Sequence, residues 1–421
     1  MLRGGSLFYA LAIAIIMGLV SASLLLSAYY TRLHILRDQS REEVIRNSKS
    51  GLELLLSEKN AIEYDSPDET DLFGDGRDSV RLESKSWGAF EIAISFAHNK
   101  SFQHKLIAAV GWQADVNDQT ALILADMDRP LSITGETKLA GDCYLPKAGI
   151  QRAYIEGQSY SGNKMVYGTI KNSDRFLPEY NKELVKRIGE LFEFQPRQTD
   201  SAISPEEVQL ADSVTNSFSN KTLYVFSPGT ILIHSEIIKG HVCIISRSSI
   251  HIGKNSLLQN VLLIAPYIKI EDGAEGEFQA FARDSLIVGK NVHLHYPTVL
   301  GIIATEKSPA VAAIIVGEKS KIFGQLFACR VETDFRKHVL INTGKESIIY
   351  GEMYSSDLID HKGIVYGFVA CSKFELKTAS AEYENHLMNA VIDRTKRSPW
   401  YIASALTRKK SDRKAIIQWL P

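Results

Sequence analysis

From Ser6 to Tyr30 the chain carries no charged residue, a run of 25 positions reading SLFYALAIAIIMGLVSASLLLSAYY. A helix of about 20 apolar residues spans the hydrocarbon core of a bilayer. Because a helix pairs its own backbone groups, it survives where no water can reach them. No second run of this kind follows. The chain therefore reads as one N-terminal anchor ahead of a large water-exposed body. A cleavable signal has a shorter apolar core, of about 7–15 residues, and small residues at its cleavage site. Here Tyr29 and Tyr30 occupy that place and suit an interfacial aromatic belt instead, so a retained anchor is expected. Arg3 precedes the run, whereas Arg32, Arg37, Arg41, Arg46 and Lys49 follow it. Counted by Lys and Arg alone, this flank favours a cytoplasmic body.

Beyond the run, Leu33, Leu36, Val44, Ile45, Leu52, Leu55 and Leu56 recur near helical spacing among Arg and Glu, which predicts that the helix continues as a stalk. MLRGGSLFYAL pairs a short basic leader and Gly4-Gly5 with a hydrophobic helix, and RNSKSGLELLL follows. Together these resemble the start of type IV pilin-like proteins and minor pseudopilins. The resemblance implies cleavage between Gly5 and Ser6 by a prepilin peptidase, with the mature chain beginning at Ser6. Most pilins carry Glu at the fifth mature position, where this chain has Ala10. A plain signal-anchor helix is the other reading of the same residues. Within the run, Gly18, Ser21, Ala22 and Ser23 are small enough to let helices pack closely in lipid.

The composition of the chain is globular, with 45% hydrophobic and 23% charged residues and a formal net charge of −1. That balance offers no basic surface for nucleic acid. The four cysteines, Cys143, Cys243, Cys329 and Cys371, are too few for a disulfide scaffold and lack zinc-type spacing. Residues 80–125 alternate in strand fashion. From 131 onward short apolar strands recur with Gly or Asn corners, as in IIVGEKSKIFGQLFAC and LINTGKESIIYGEMYSS. Repeats of about 20 residues indicate a solenoid. One rung cannot bury its inward face alone, so rungs stack and share a core; an antiparallel sandwich is the weaker alternative because Asn-Gly hairpin turns are missing from the sequence.

The expected fold is thus mainly β, an N-terminal transmembrane and stalk helix followed by a parallel β-helix with a helical insertion and a C-terminal cap. Its expected parts are residues 1–5 as leader or cytoplasmic tail, 6–30 as the membrane helix, 31–62 as the stalk and 63–130 as a β-rich N-terminal region. The solenoid is expected over 131–378, interrupted by helices at 174–220, with 379–421 as the cap, where SAEYENHLMNAVIDRT reads as a helix. The Gly-spaced phrase over 230–375, and over 131–173, resembles the bactofilin type of polymer-forming parallel β-helix, and the whole chain resembles single-pass membrane proteins of Bacteroidetes.

Chemistry-bearing groups are sparse. His293 and His295 (HLH) lie two apart, so on a strand they share a face as metal ligands do; a solvated rung face is the plainer reading, and no metal is assigned. Asp71, Asp75 and Asp78 lack calcium-loop spacing and read as a solvated acidic loop. Asp357, Asp360 and His361 combine carboxylates with an imidazole as general acid–base catalysis would, but neighbouring rungs offer no matching acids. Cys329 and Cys371 end apolar strands and are expected to fill inward sites. No cofactor and no nucleic-acid partner is expected. The reading is a single-pass, inner-membrane structural or binding protein of the cell envelope. Its body is expected in the periplasm or at the surface, where it contacts the bilayer, other pilin-like or envelope proteins, or polysaccharide, with oligomers open. The alternatives are a cytoplasmic, membrane-tethered polymerising scaffold and a β-helix carbohydrate-active enzyme.

Overall fold

A computed structural model describes residues 5–57, 68–72, 74, 76, 78–331, 336–409 and 411–421. It divides into two compact units, Met1–Ser84 with Ala93–Leu106, and Lys85–Ile92 with Ile107–Pro421.

The first unit is built on α1, Gly5–Leu56, one uninterrupted helix, as the absence of proline allows. Its most apolar stretch is wholly unburied, and among the described residues it is the one helix long and apolar enough to cross a membrane. Among the described residues burial is confined to its C-terminal part, where Val44, Asn47, Ser48, Gly51, Leu52 and Leu55 are buried. At Gly51 the helix comes so close to the strands that a Cβ would strike Val80, Leu82 and Ser95. Polar ties fix the same turns. Asn47 Nδ2 donates to Asp78 Oδ2 at 3.1 Å, and Ser48 Oγ lies 2.6 Å from His104 Nδ1. The calcium-loop residues diverge. Asp71 accepts from the Gly74 and Gly76 amides, Asp78 faces Asn47, and Asp75 lies outside the described residues, as do residues 58–62 of the expected stalk.

The second unit contains the solenoid. Its strands pair in parallel from rung to rung and line three faces, each with an inward column. On one face Val225, Ile244, Leu263, Ala280, Leu300 and Leu326 stack in register and are buried. The column continues through Met353, Val369, Leu122 and Cys143. A second column runs Leu258, Gly276, Leu294, Ile322, Ile349, Val365. The third runs Ile250, Ile268, Leu286, Ile314, Ile341, Ile359. Each fully buried aliphatic side chain contributes about 1.5–3 kcal/mol, but only when a neighbouring rung covers it, and so the stack is cooperative. At one corner Gly324, Gly351 and Gly367 lie in register at φ +153°, +151° and +158°. A side chain at each would collide with the backbone carbonyl of the rung before it.

The fold class is that expected, but the rungs do not stack in chain order. The strand Ile364–Lys377 is followed in space by a rung made of two distant pieces. Thr120–Leu124 supplies one face; Val391–Asp393 supplies another, and His386–Met388 lies beside it. That rung then supports Leu131–Thr134, Lys138–Ala140 and Asp142–Leu145. Residues 120–124, expected in the region before the solenoid, therefore belong to it. So do 386–393, expected in the cap, and SAEYENHLMNAVIDRT forms short strands and one 3-10 turn rather than a helix.

The helical insertion is also shorter than expected. α2, Lys182–Glu190, and a following 3-10 turn form a strap: Tyr180 Oη donates to the Arg330 carbonyl at 2.7 Å, and Arg247 Nη2 donates to the Glu193 carbonyl at 2.7 Å. Residues 201–216 already pair as solenoid strands, with α3, Pro205–Ala211, between them. The strap lets the chain leave the 150–172 rung and re-enter the stack at its opposite end.

Candidate binding surface

The positions just before the corner glycines place aromatic rings in a column on the solenoid's outer side. Phe323 stacks on Tyr350 with centroids 4.2 Å apart and planes 2° from parallel, and Tyr350 meets Tyr366 at 5.3 Å. The rung register, Phe323 to Tyr350 to Tyr366, sets this spacing. Lys396 lies 5.0 Å over the Tyr366 ring. At the other end His293 stacks on Phe323 at 5.5 Å, and His295 stacks on His293 at 4.5 Å.

A C-terminal segment faces this column and is held firmly. Arg397 and Glu352 form an ion pair at 2.6 Å, their side chains 7% and 8% exposed. Tyr401 Oη donates to the Gly324 carbonyl at 3.1 Å, Tyr296 Oη donates to the Ile402 carbonyl at 3.0 Å, and Ser404 Oγ donates to Gln325 Oε1 at 2.5 Å. Burial pushes the Tyr296 and Tyr401 phenols well above their ordinary range. Between column and segment lies a groove of about 430 Å³ lined by Tyr296, Phe323, Tyr350, Tyr366, Trp400 and Tyr401. Trp400 is 81% exposed although its flanking residues are anchored. Exposed indole is costly to leave in water, and a concave, mostly apolar site with a few placed polar groups is the usual form of a ligand site.

Of the residues singled out from sequence, His293 and His295 come together, and they meet Glu275 of the neighbouring rung; ligand atoms of the three lie within 4.8 Å of one another. His295 Nε2 stands 2.6 Å from Glu275 Oε1. Burial pushes His293 down from the ordinary histidine range.

Asp357, Asp360 and His361 do not converge. Asp357 Oδ2 meets His338 Nδ1 at 2.5 Å, Asp360 takes hydrogen bonds from Asn342 and Lys362, and His361 is buried with Nδ1 2.7 Å from Thr343 Oγ1. Burial lowers the His361 pKa to about 4, so it cannot accept a proton near neutrality. The four cysteines are free and buried, and burial raises Cys143 to about 12, which leaves no ready thiolate. Gly18, Ser21, Ala22 and Ser23 lie exposed on α1, and Gly5 and Ser6 form its first residues. The aromatic column was missed from sequence, yet FG, YG and YG recur at 323–324, 350–351 and 366–367, one rung apart.

No family model matches the chain, and no curated protein matches it. Among solved structures, the competence-associated pilin ComZ from Thermus thermophilus aligns over 93% of this chain and 95% of its own, with 10% identity and a TM-score of 0.22. A likeness that low carries no argument about either fold or function.

Proposed function

We propose that this chain is a membrane-anchored binding protein of the cell envelope whose solenoid holds a polysaccharide in the aromatic groove. The observation that carries the reading is Trp400, exposed on a segment pinned by the Arg397–Glu352 pair and facing the Phe323–Tyr350–Tyr366 column. The CH faces of sugar rings pack on aromatic faces, while Lys396 at the rim can meet acidic or hydroxyl groups. The apolar helix supports anchoring. We take the body to lie in the periplasm or at the surface; the basic flank after Tyr30 argues the other way, and reporters fused at the C-terminus decide between the two.

The test is binding of the full-length protein in detergent to a panel of neutral and acidic polysaccharides, read by affinity electrophoresis. Trp400→Ala is expected to weaken binding at least about tenfold with an unchanged melting temperature, as for an exposed anchor residue. If no polysaccharide binds, or the variant binds equally well, the reading fails.

A second reading, assembly as a pilin-like subunit, is favoured by α1 itself. Its last turns pack, while its most apolar stretch is wholly unburied. A mass measurement placing the mature N-terminus at Ser6 supports it; an intact Met1 terminus removes it.

A further inference from the structure

Beside the groove, two neighbouring rungs carry matched pairs of ligand-type side chains. The strand Glu275–Val288 opens with Glu275, Gly276 and Glu277, and the strand His293–Ala304 opens with His293, Leu294 and His295. They pair in parallel with Glu275 opposite His293 and Gly276 opposite Leu294. Gly276 and Leu294 are buried inward positions. Strand alternation therefore sends Glu275, Glu277, His293 and His295 to the same outer face. Parallel rungs hold such pairs at fixed spacing, which supplies the preorganisation a metal site needs.

We propose that Glu275, Glu277, His293 and His295 form a site for a divalent transition-metal ion on the outside of the solenoid.

Three observations support it. Ligand atoms of Glu275, His293 and His295 already lie within 4.8 Å of one another. Zinc bonds to imidazole nitrogen and carboxylate oxygen at about 2.0–2.2 Å, which sets tetrahedral ligands roughly 3.4 Å apart, so small side-chain rotations close these three, and Glu277 is the fourth donor on the same face. Burial pushes the Glu277 carboxyl up although Gln418 hydrogen-bonds it and His295 lies within electrostatic reach, and its Oε1 is buried with no hydrogen-bond partner. A buried, unpaired carboxylate oxygen is costly unless something positive meets it. Finally, the donor chemistry fits: two imidazoles and two carboxylates suit zinc, nickel or copper, and the two carboxylates balance the charge of the ion. Lys321, opposite His293 on the following rung, is an opposing charge, and two carboxylates outweigh it. The Glu275–His295 contact at 2.6 Å is the pairing the ion would replace. The buried cysteines offer no competing thiolates.

Titration of the untagged full-length protein in detergent with zinc alone, followed by calorimetry, tests the site. One ion per chain is expected to bind saturably. His293→Gln and His295→Gln are each expected to weaken binding at least about tenfold, as loss of a ligand does. Glu277→Gln should weaken it less, and the zinc-free melting temperature should stay unchanged for His295→Gln, whose imidazole is exposed. Cobalt in place of zinc should give the visible d–d absorption of a four- or five-coordinate site, and His293→Gln should abolish it. Absence of saturable binding overturns the proposal. So does zinc affinity that survives intact in the His293→Gln/His295→Gln double variant, since the ion would then sit elsewhere. A variant that melts early is replaced by Glu275→Gln, whose side chain is exposed, and the same affinity criterion applies.

Discussion

His361 shows how neighbouring residues in sequence can part company in a solenoid. Asp357, Asp360 and His361 read as one cluster because they combine carboxylates and an imidazole within five positions. The strand shifts register between Ser355 and Leu358, and Ile359, Asp360 and His361 are all buried in succession, each with its own partners. The imidazole is held neutral against Thr343 Oγ1, its pKa lowered to about 4 chiefly by burial. In the unfolded chain a histidine titrates near about 6.5. The unfolded state therefore binds a proton that the native state refuses once the pH drops below that value. The sign follows: the stabilisation is complete above pH 6.5 and is lost as pH falls toward 4, amounting to about 2 kcal/mol at pH 5. Urea unfolding of the full-length protein at pH 8 and pH 5 checks this. His361→Gln should be less stable at pH 8, yet lose about 2 kcal/mol less than the parent on acidification. His241, also lowered to about 4 by burial, remains to titrate in both proteins. An equal loss in variant and parent would mean that His361 titrates freely.

At the scale of the strand and its corner, the repeating phrase was readable because its glycines answer a steric need. Gly351 sits at φ +151° directly over Gly324, and a Cβ there would run into the Gly324 carbonyl oxygen. Alanine is strained at such a φ whatever the space, and here the space is also missing. Gly351→Ala is expected to destabilise the protein by about 3 kcal/mol. Gly229→Ala is the control: its Cβ would meet nothing nearer than Ser227 Oγ at 3.8 Å. Thermal melts of the two variants side by side should separate clearly, and a Gly351→Ala protein that melts with the parent would sink the corner argument. The same phrase carried the aromatic column, since Phe323, Tyr350 and Tyr366 each precede a corner glycine. Reading it required knowing that those three phrases lie on adjacent rungs. The Glu275–His293 juxtaposition was hidden for the same reason, because the two residues meet only through the rung register.

For the chain as a whole, class and core were legible, whereas the order of stacking was not. An apolar column such as Ile349, Val365, Ile392 and Leu139 looks alike whichever rung follows which, so periodicity alone cannot tell a continuous winding from one that rejoins itself. In the second unit the stack closes across a long interval: the Ala390 amide reaches Thr137 Oγ1, 253 residues away in sequence. Thr120–Leu124 and 386–393 act as a keystone between the rungs on either side. Contacts of such separation form late, because loop closure must precede the burial that rewards it. A chain ending after Lys377 keeps the Thr120–Leu124 face of that rung and loses the strands His386–Met388 and Val391–Asp393. In the intact protein the amides of Leu122 and Leu139 should exchange as slowly as that of Leu263, since all three lie in the same continuous core. In the truncated chain exchange over 131–145 should rise by orders of magnitude, while 257–303, whose partners on both sides remain, should stay protected. Uniform loss of protection would mean that the stack folds only as a single unit. Full protection over 131–145 would mean that the Thr120–Leu124 face suffices and that the closing strands are dispensable.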